Sequence, residues 1–295
     1  MSCPAPLFFR AVMLTNRDDR KHLVERIIVR LHQALPLVQD GTRHSYRHYP
    51  IIHYWLGRFH TELVNYDRSN YHLKLAKSAG YNRLECCFYL GQGCIEQELF
   101  DWAEHYLREA LHGAFQDWKQ DCKNDSGSRT SLLSWARKRD QSALPASLGT
   151  VYLILYTCLL LALVFAERGR DKARAQRWLR FVGRHRDFLR RPTNAAQWDD
   201  QHRLESKRRD IEACYEDYRG WVYYLDGHPS KARNHIEAAV KLNANAEWLY
   251  HLARVCLALA ATNDSPGTDW LERARECCAR ARIVDFRGAF TRTPH

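Results

Sequence analysis

Apolar residues recur at intervals of three and four along almost the whole chain, and strict alternation of apolar and polar positions is hard to find. That spacing belongs to helices that bury one face. In "RDDRKHLVERIIVRLHQALPLV", Leu23, Ile27, Leu31 and Leu35 fall four apart and predict an amphipathic helix near the N-terminus. Leu204, Ile211, Tyr218 and Leu225 fall seven apart, with Tyr215 and Val222 between them, and predict one helix of roughly 30 residues. Residues 151–166 are almost wholly apolar, which predicts a helix buried on all sides. The chain therefore reads as all-α.

Two of these helices share a pattern. "YWLGRF" at 54–59 and "FYLGQG" at 88–93 place Leu56-Gly57 and Leu90-Gly91 a distance of 34 residues apart. Taking each glycine as a point where two helices touch, the partner helix needs a small residue, then a large apolar one, then a small one. Ser69, Leu73 and Ala76 follow Gly57 in that order, and Ala103, Leu107 and Ala110 follow Gly91. Gly220 is followed by Ala232, Ile236 and Ala239. A last unit offers Ala253 on its first helix and Ala274, Cys278 and Ala281 on its second. A degenerate unit pairs "VYLILYTCLLLALVFAERG" with "RDKARAQRWLRFV"; there Ala173 fits, but Arg177 and Arg180 stand where large apolar and small residues belong.

A 34-residue period of paired helices resembles the tetratricopeptide repeat. The resemblance implies a right-handed α-solenoid of antiparallel helix pairs with an N-terminal capping helix, because a repeat cannot bury its own end face. Residues 1–49 form the N-terminal segment and cap, and 50–115 the first repeats. An insertion or linker covers 116–149, and 150–190 the degenerate repeat with its basic helix. The extended helix and C-terminal repeats occupy 191–286, and 287–295 is a tail. The resemblance also implies a concave groove that holds a segment of a partner protein. By family position its residues are Tyr54, Arg58 and Glu62; Phe88, Gln92 and Glu96; and Asp217, Trp221 and Tyr224. The carboxylate-clamping variety of groove carries Lys and Asn at two of these positions, and this chain has neither there.

Charge adds a second surface. The net charge is +11, and residues 129–209 carry all of it, with 18 Lys/Arg against 7 Asp/Glu, while the remaining charges cancel. Arg177, Arg180, Arg184, Arg190, Arg191, Arg203, Lys207, Arg208 and Arg209 form its densest part. Such a patch would meet an acidic protein or the phosphates of a nucleic acid. The primary reading is a non-catalytic scaffold or adaptor, with an RNA-binding or ribonucleoprotein-assembly protein as the alternative.

The other motifs exclude more than they add. No phosphate-binding loop, dinucleotide fingerprint or nucleophile elbow occurs, so no catalytic residue and no cofactor are expected. Histidines cluster in "RHSYRHYPIIHYWLGRFH" at His44, His48, His53 and His60; His44 and His48 lie four apart, but no third ligand follows at a familiar spacing, so no metal is expected either. The ten cysteines include no CxxC pair, and most sit in apolar stripes, as reduced thiols do. A reducing compartment follows, either the cytoplasm or, given the acid-poor start of the chain, an organellar interior. The apolar stretch at 150–166 is the one marginal membrane candidate and is expected to be a buried helix instead.

Overall fold

The computed structural model describes residues 17–39, 49–126, 148–169, 171–186, 198–262 and 269–284. These form eleven helices and no strand: α1 (Arg17–Gln39), α2 (Tyr49–Glu62), α3 (Tyr66–Ser78), α4 (Arg83–Glu96), α5 (Phe100–Ser126), α6 (Leu148–Gly169), α7 (Lys172–His185), α8 (Trp198–Leu225), α9 (Pro229–Leu242), α10 (Ala246–Thr262) and α11 (Trp270–Val284). The fold is an all-α solenoid of antiparallel helix pairs. Its described residues divide into two compact units, those up to Tyr106 together with those from Arg280 onward, and those from Leu107 to Ala279.

Local chemistry starts the helices. Asn65, Asn82 and Asp171 accept hydrogen bonds from the backbone N–H groups of Arg68, Glu85 and Arg174, capping α3, α4 and α7. Asn245 and Asp269 do the same for α10 and α11, through Trp248 and Glu272. Connections of a few residues then turn the chain back on itself, which makes successive helices antiparallel. Gly227 allows the turn between α8 and α9 with a φ of +77°, a conformation that L side chains resist.

In the first unit α1 packs on α2 through Leu23, Val24, Ile27, Ile28 and Leu31 against Ile52, Leu56 and Phe59. This is the cap that the apolar spacing predicts. Next to it Tyr54, Leu73, Ala76, Cys86 and Leu90 join α2, α3 and α4. In the second unit α6 is the central helix, packed by α7 and α8. Val151–Arg168 has a mean hydropathy of 1.8 and is, among the described residues, the one helical window long and apolar enough to cross a membrane, but 72% of it is buried within the fold. The helix α8 runs 28 residues, close to the length its seven-residue stripe predicts. Farther on, Ala232 and Ile236 of α9, Leu252 and Ala253 of α10, and Trp270, Ala274 and Cys277 of α11 share one core.

The small-large-small triplets are where the sequence places them. Ser69, Leu73 and Ala76, then Ala103, Leu107 and Ala110, then Ala232, Ile236 and Ala239 are all buried. Gly57, Gly91 and Gly220 are buried too. Two registers differ. On α7 the buried residues are Ala175, Leu179, Val182 and His185, while Ala173, Arg177 and Arg180 are exposed. The triplet is thus intact, two residues beyond the expected place, and the arginines interrupt nothing. On α11 the buried side chain is Cys277, and Cys278 faces outward; Trp270, Ala274, Cys277 and Ala281 make the stripe. The long helix α5 also enters the segment expected as linker and runs to Ser126. The tail at 287–295 lies outside the described residues.

Gly220 sets the contact between α8 and α9. A Cβ there would stand 2.6 Å from Ile236 Cγ1 and 2.9 Å from the carbonyl oxygen of Ala232. Backbone cannot move aside as a side-chain tip does. Gly220→Ala is therefore expected to overpack the pair and destabilise the fold by about 1–3 kcal/mol. Urea unfolding of the variant beside the parent measures this, and an unchanged midpoint would show that the helices separate freely.

Candidate partner-binding face

First helices of neighbouring repeats lie side by side, so their side chains meet across the repeat. In the first unit this brings together α2 and α4. The Tyr54 hydroxyl donates to Glu85 Oε2. Above it the Arg58 guanidinium carbon lies 5.2 Å from the ring centre of Trp55 and 5.1 Å from that of Tyr89, within range for cation–π attraction. Burial works against the charge of Arg58, but Tyr89, Tyr54, Glu62 and Glu85 outweigh it and raise its pKa. Burial pushes the Tyr89 hydroxyl up to about 12. Arg58, Glu62 and Gln92 are half-buried and Glu96 is exposed.

The second unit repeats the motif on three first helices. Trp221 of α8 donates its indole N–H to Glu167 Oε1 of α6. Its ring stacks on Tyr224, with centres 4.8 Å apart, and on His251 of α10, at 4.1 Å. His251 Nδ1 lies 2.8 Å from Asp217 Oδ2. Arg254, exposed, caps the stack with its guanidinium carbon 5.4 Å from the Trp221 ring centre and 5.7 Å from that of Tyr224. Burial of the His251 ring opposes its protonation; Asp217, with Glu247 and Glu167, outweighs burial and raises its pKa. Burial raises the carboxyl of Asp217 as well, and Asp217 Oδ1 is buried without a hydrogen-bond partner among the described residues.

Of the nine groove residues expected, Tyr54, Phe88, Asp217 and Trp221 are therefore buried. They hold the face in place from beneath and do not line it openly. The large aromatic rings are apolar enough to be drawn inward, while Arg58 and Glu62 stay half-buried and Arg254 is exposed. Sequence reasoning missed Trp55, Glu85, Tyr89, Glu167, His251 and Arg254. The period itself could have found two of them: Asp217 and His251 are 34 residues apart, and Arg254 lies one helical turn beyond His251 on the same face.

The basic stretch is less uniform than its sequence. Arg177, Arg180 and Arg184 are exposed on one face of α7. Arg208 and Arg209 instead pair with Glu205 at 2.6 and 3.3 Å, and Lys207 lies 5.3 Å over the Tyr152 ring. Arg190 and Arg191 lie outside the described residues, as does the side chain of Arg203.

Two groups of side chains have metal-ligating chemistry. Asp217, Glu247 and His251 offer one ligand atom each within 4.8 Å of one another, but the Asp217–His251 bond and the Trp221 stack already engage them. The other group is His32, His60 and His72, from α1, α2 and α3. His53 joins it through a contact of 2.7 Å between its Nδ1 and that of His72. Of the histidine run that the sequence singles out, His44 and His48 lie outside the described residues.

No protein-family model and no curated protein matches the chain. Solved structures do. NprR in complex with its cognate peptide NprX aligns with 99% of this chain and 71% of its own, at 14% identity and a TM-score of 0.60. The apo form of the quorum sensor NprR from B. thuringiensis aligns with 88% of this chain at 15% identity and a TM-score of 0.50, and the present chain spans 59% of its length. The thermophilic TPR protein TTC0263 of Thermus thermophilus aligns with 82% of this chain and 97% of its own, at 16% identity and a TM-score of 0.44. These likenesses concern the fold.

The buried histidines set an acid limit. Burial, with the neighbouring His32, lowers His53; burial, with exposed Arg68 and His32, lowers His60 to about 4; burial, then His53 and His60, lowers His72 to about 3. The unfolded chain binds protons from pH 6.5 downward while the folded rings stay neutral, so stability falls as pH falls from 6.5 toward those values. His60 alone accounts for on the order of 3 kcal/mol across that window. Urea unfolding of chelator-treated protein at pH 7, 6 and 5 is expected to show a steady loss; equal midpoints would mean that the rings are hydrated.

Proposed function

We propose that this chain is a non-catalytic interaction scaffold that holds an acidic segment of another protein on the first-helix face of its second unit. Arg254 is the observation that carries this reading. Its guanidinium is exposed, fixed over Trp221 and Tyr224, and paired with no carboxylate among the described residues. An arginine already placed over two rings has little freedom left to lose when a partner arrives, and its fork of donors fits a carboxylate. Trp221 is in turn locked by Glu167 and His251, so the anchor is pre-organised. The peptide complex of NprR supports the general idea, since a protein of similar fold is solved with a peptide bound. Beneath Arg254 the buried polar groups hold one another, Asp217 with His251 and Glu167 with Trp221. Seven buried free thiols among the described residues agree with a reducing compartment, the cytoplasm or an organellar interior.

A second reading rests on Arg177, Arg180 and Arg184, which are exposed together on α7 and would suit phosphates or a separate acidic surface. Affinity capture on the intact chain, with captured proteins and nucleic acid both identified, separates the two. Arg254→Ala is expected to weaken the captured protein partner by about 30-fold, the effect of losing a hot spot worth about 2 kcal/mol. The triple change of Arg177, Arg180 and Arg184 to Ala is expected to leave that affinity within a few-fold. The opposite pattern, with steep salt dependence, would establish the basic face as the binding site.

A further inference from the structure

We propose that His32, His60 and His72 form a binding site for one divalent transition-metal ion of the zinc type, which staples the capping helix α1 to the first repeat. One ring nitrogen from each of the three lies within 4.8 Å of the others. The rings of His60 and His72 are parallel, with centres 5.7 Å apart and an angle of 4°. His32 approaches His72 edge-on, with centres 5.6 Å apart, and lies tilted to His60 at 6.1 Å.

One buried member, His60, lacks what a structural histidine has. His60 and His72 are 3% and 5% exposed, yet both nitrogens of His60 are without a hydrogen-bond partner among the described residues. Leaving a buried polar atom unpaired is costly, and a metal would satisfy a lone pair on that ring. His72 does have a partner: its Nδ1 lies 2.7 Å from His53 Nδ1. With that nitrogen engaged, Nε2 is the one His72 has for a ligand, and His53 is the outer hydrogen-bonding group that orients a metal-bound imidazole.

The donor set selects the ion. Three imidazoles without carboxylate or thiolate suit zinc, nickel, cobalt or copper, and not magnesium or calcium. Zinc–nitrogen bonds of about 2.0–2.1 Å require ligand atoms roughly 3.3 Å apart in a tetrahedron, so the set must draw in somewhat. His32 is exposed and on the outer helix, so its side chain is free to move and a water can take the fourth position beside it. Exposed Arg68 is the cation that faces the site, and solvent screens it.

The test uses the full-length untagged chain, stripped with a chelator and titrated with Co2+ and then Zn2+ alone. One equivalent of Co2+ is expected to give the visible bands of a four-coordinate nitrogen–oxygen site, without sulfur charge-transfer absorption, and Zn2+ is expected to raise the melting temperature. His32→Ala should abolish both responses and leave the metal-free melting temperature unchanged, because His32 is exposed. His53→Gln should weaken Zn2+ by about 10-fold or more. If His60→Gln fails to fold, the His32 variant decides alone. Absence of any Co2+ or Zn2+ response in the parent overturns the proposal. So do a sulfur-type spectrum, full binding by His32→Ala, or loss of binding on replacing His44 and His48 instead.

Discussion

Two helices of a repeat can approach only as far as the smallest side chain at their crossing permits, and this limit organises the rest of the molecule. At Gly57 a Cβ would fall 2.5 Å from Leu73 Cγ, and at Gly220 it would fall 2.6 Å from Ile236 Cγ1. The space that a side chain would fill on one helix is filled by a leucine or isoleucine from the other. Small residues on either side, Ser69 and Ala76 or Ala232 and Ala239, let the backbones stay close along the crossing. Once that face is fixed, each helix has only its opposite face to offer solvent or partners. Second helices put charge there, as α7 does with its arginines. First helices instead meet the first helix of the next repeat, and there aromatic and charged groups collect.

That logic also explains how much of the fold could be read beforehand. The triplets after Gly57, Gly91 and Gly220 are legible because size alternates small, large, small, and few other chemistries imitate it. On α7 the same triplet is present as Ala175, Leu179 and Val182, but the first alanine after the capping Asp171 is Ala173, and it draws the reading two residues early. On α11 the choice between Cys277 and Cys278 cannot be made from residue type at all. It depends on whether three or four residues separate the buried contacts, and in the fold Ala274 and Cys277, three apart, both enter the core.

The candidate face was legible at single positions and not as a set. Arg58, Trp221 and Asp217 stand out by their place on the helix, but their partners come from other repeats. Where the period is kept, the partner is reachable by counting, as with His251. Where an insertion intervenes, as between Glu167 and Trp221, 54 residues apart, counting fails and only the folded chain brings the pair together. The histidine cluster fails for the same reason. Its members stand on α1, α2 and α3, and no linear spacing connects them. The run that drew attention, with His44 and His48, contributed His53 and His60, while the other two rings came from the helices on either side.

Seven described cysteines are buried as free thiols, whereas Cys278 is exposed. Burial raises Cys86 to about 12 and Cys256 to about 11, and it raises Cys158 and Cys214 as well. At neutral pH these sulfurs are protonated and shielded, so an alkylating reagent reaches them only when the helices around them part. They are spread over α4, α6, α8, α10 and α11, so each reports on its own part of the molecule. The chain thus carries its own set of internal probes, and the order in which its thiols become reactive is a map of which repeats open first.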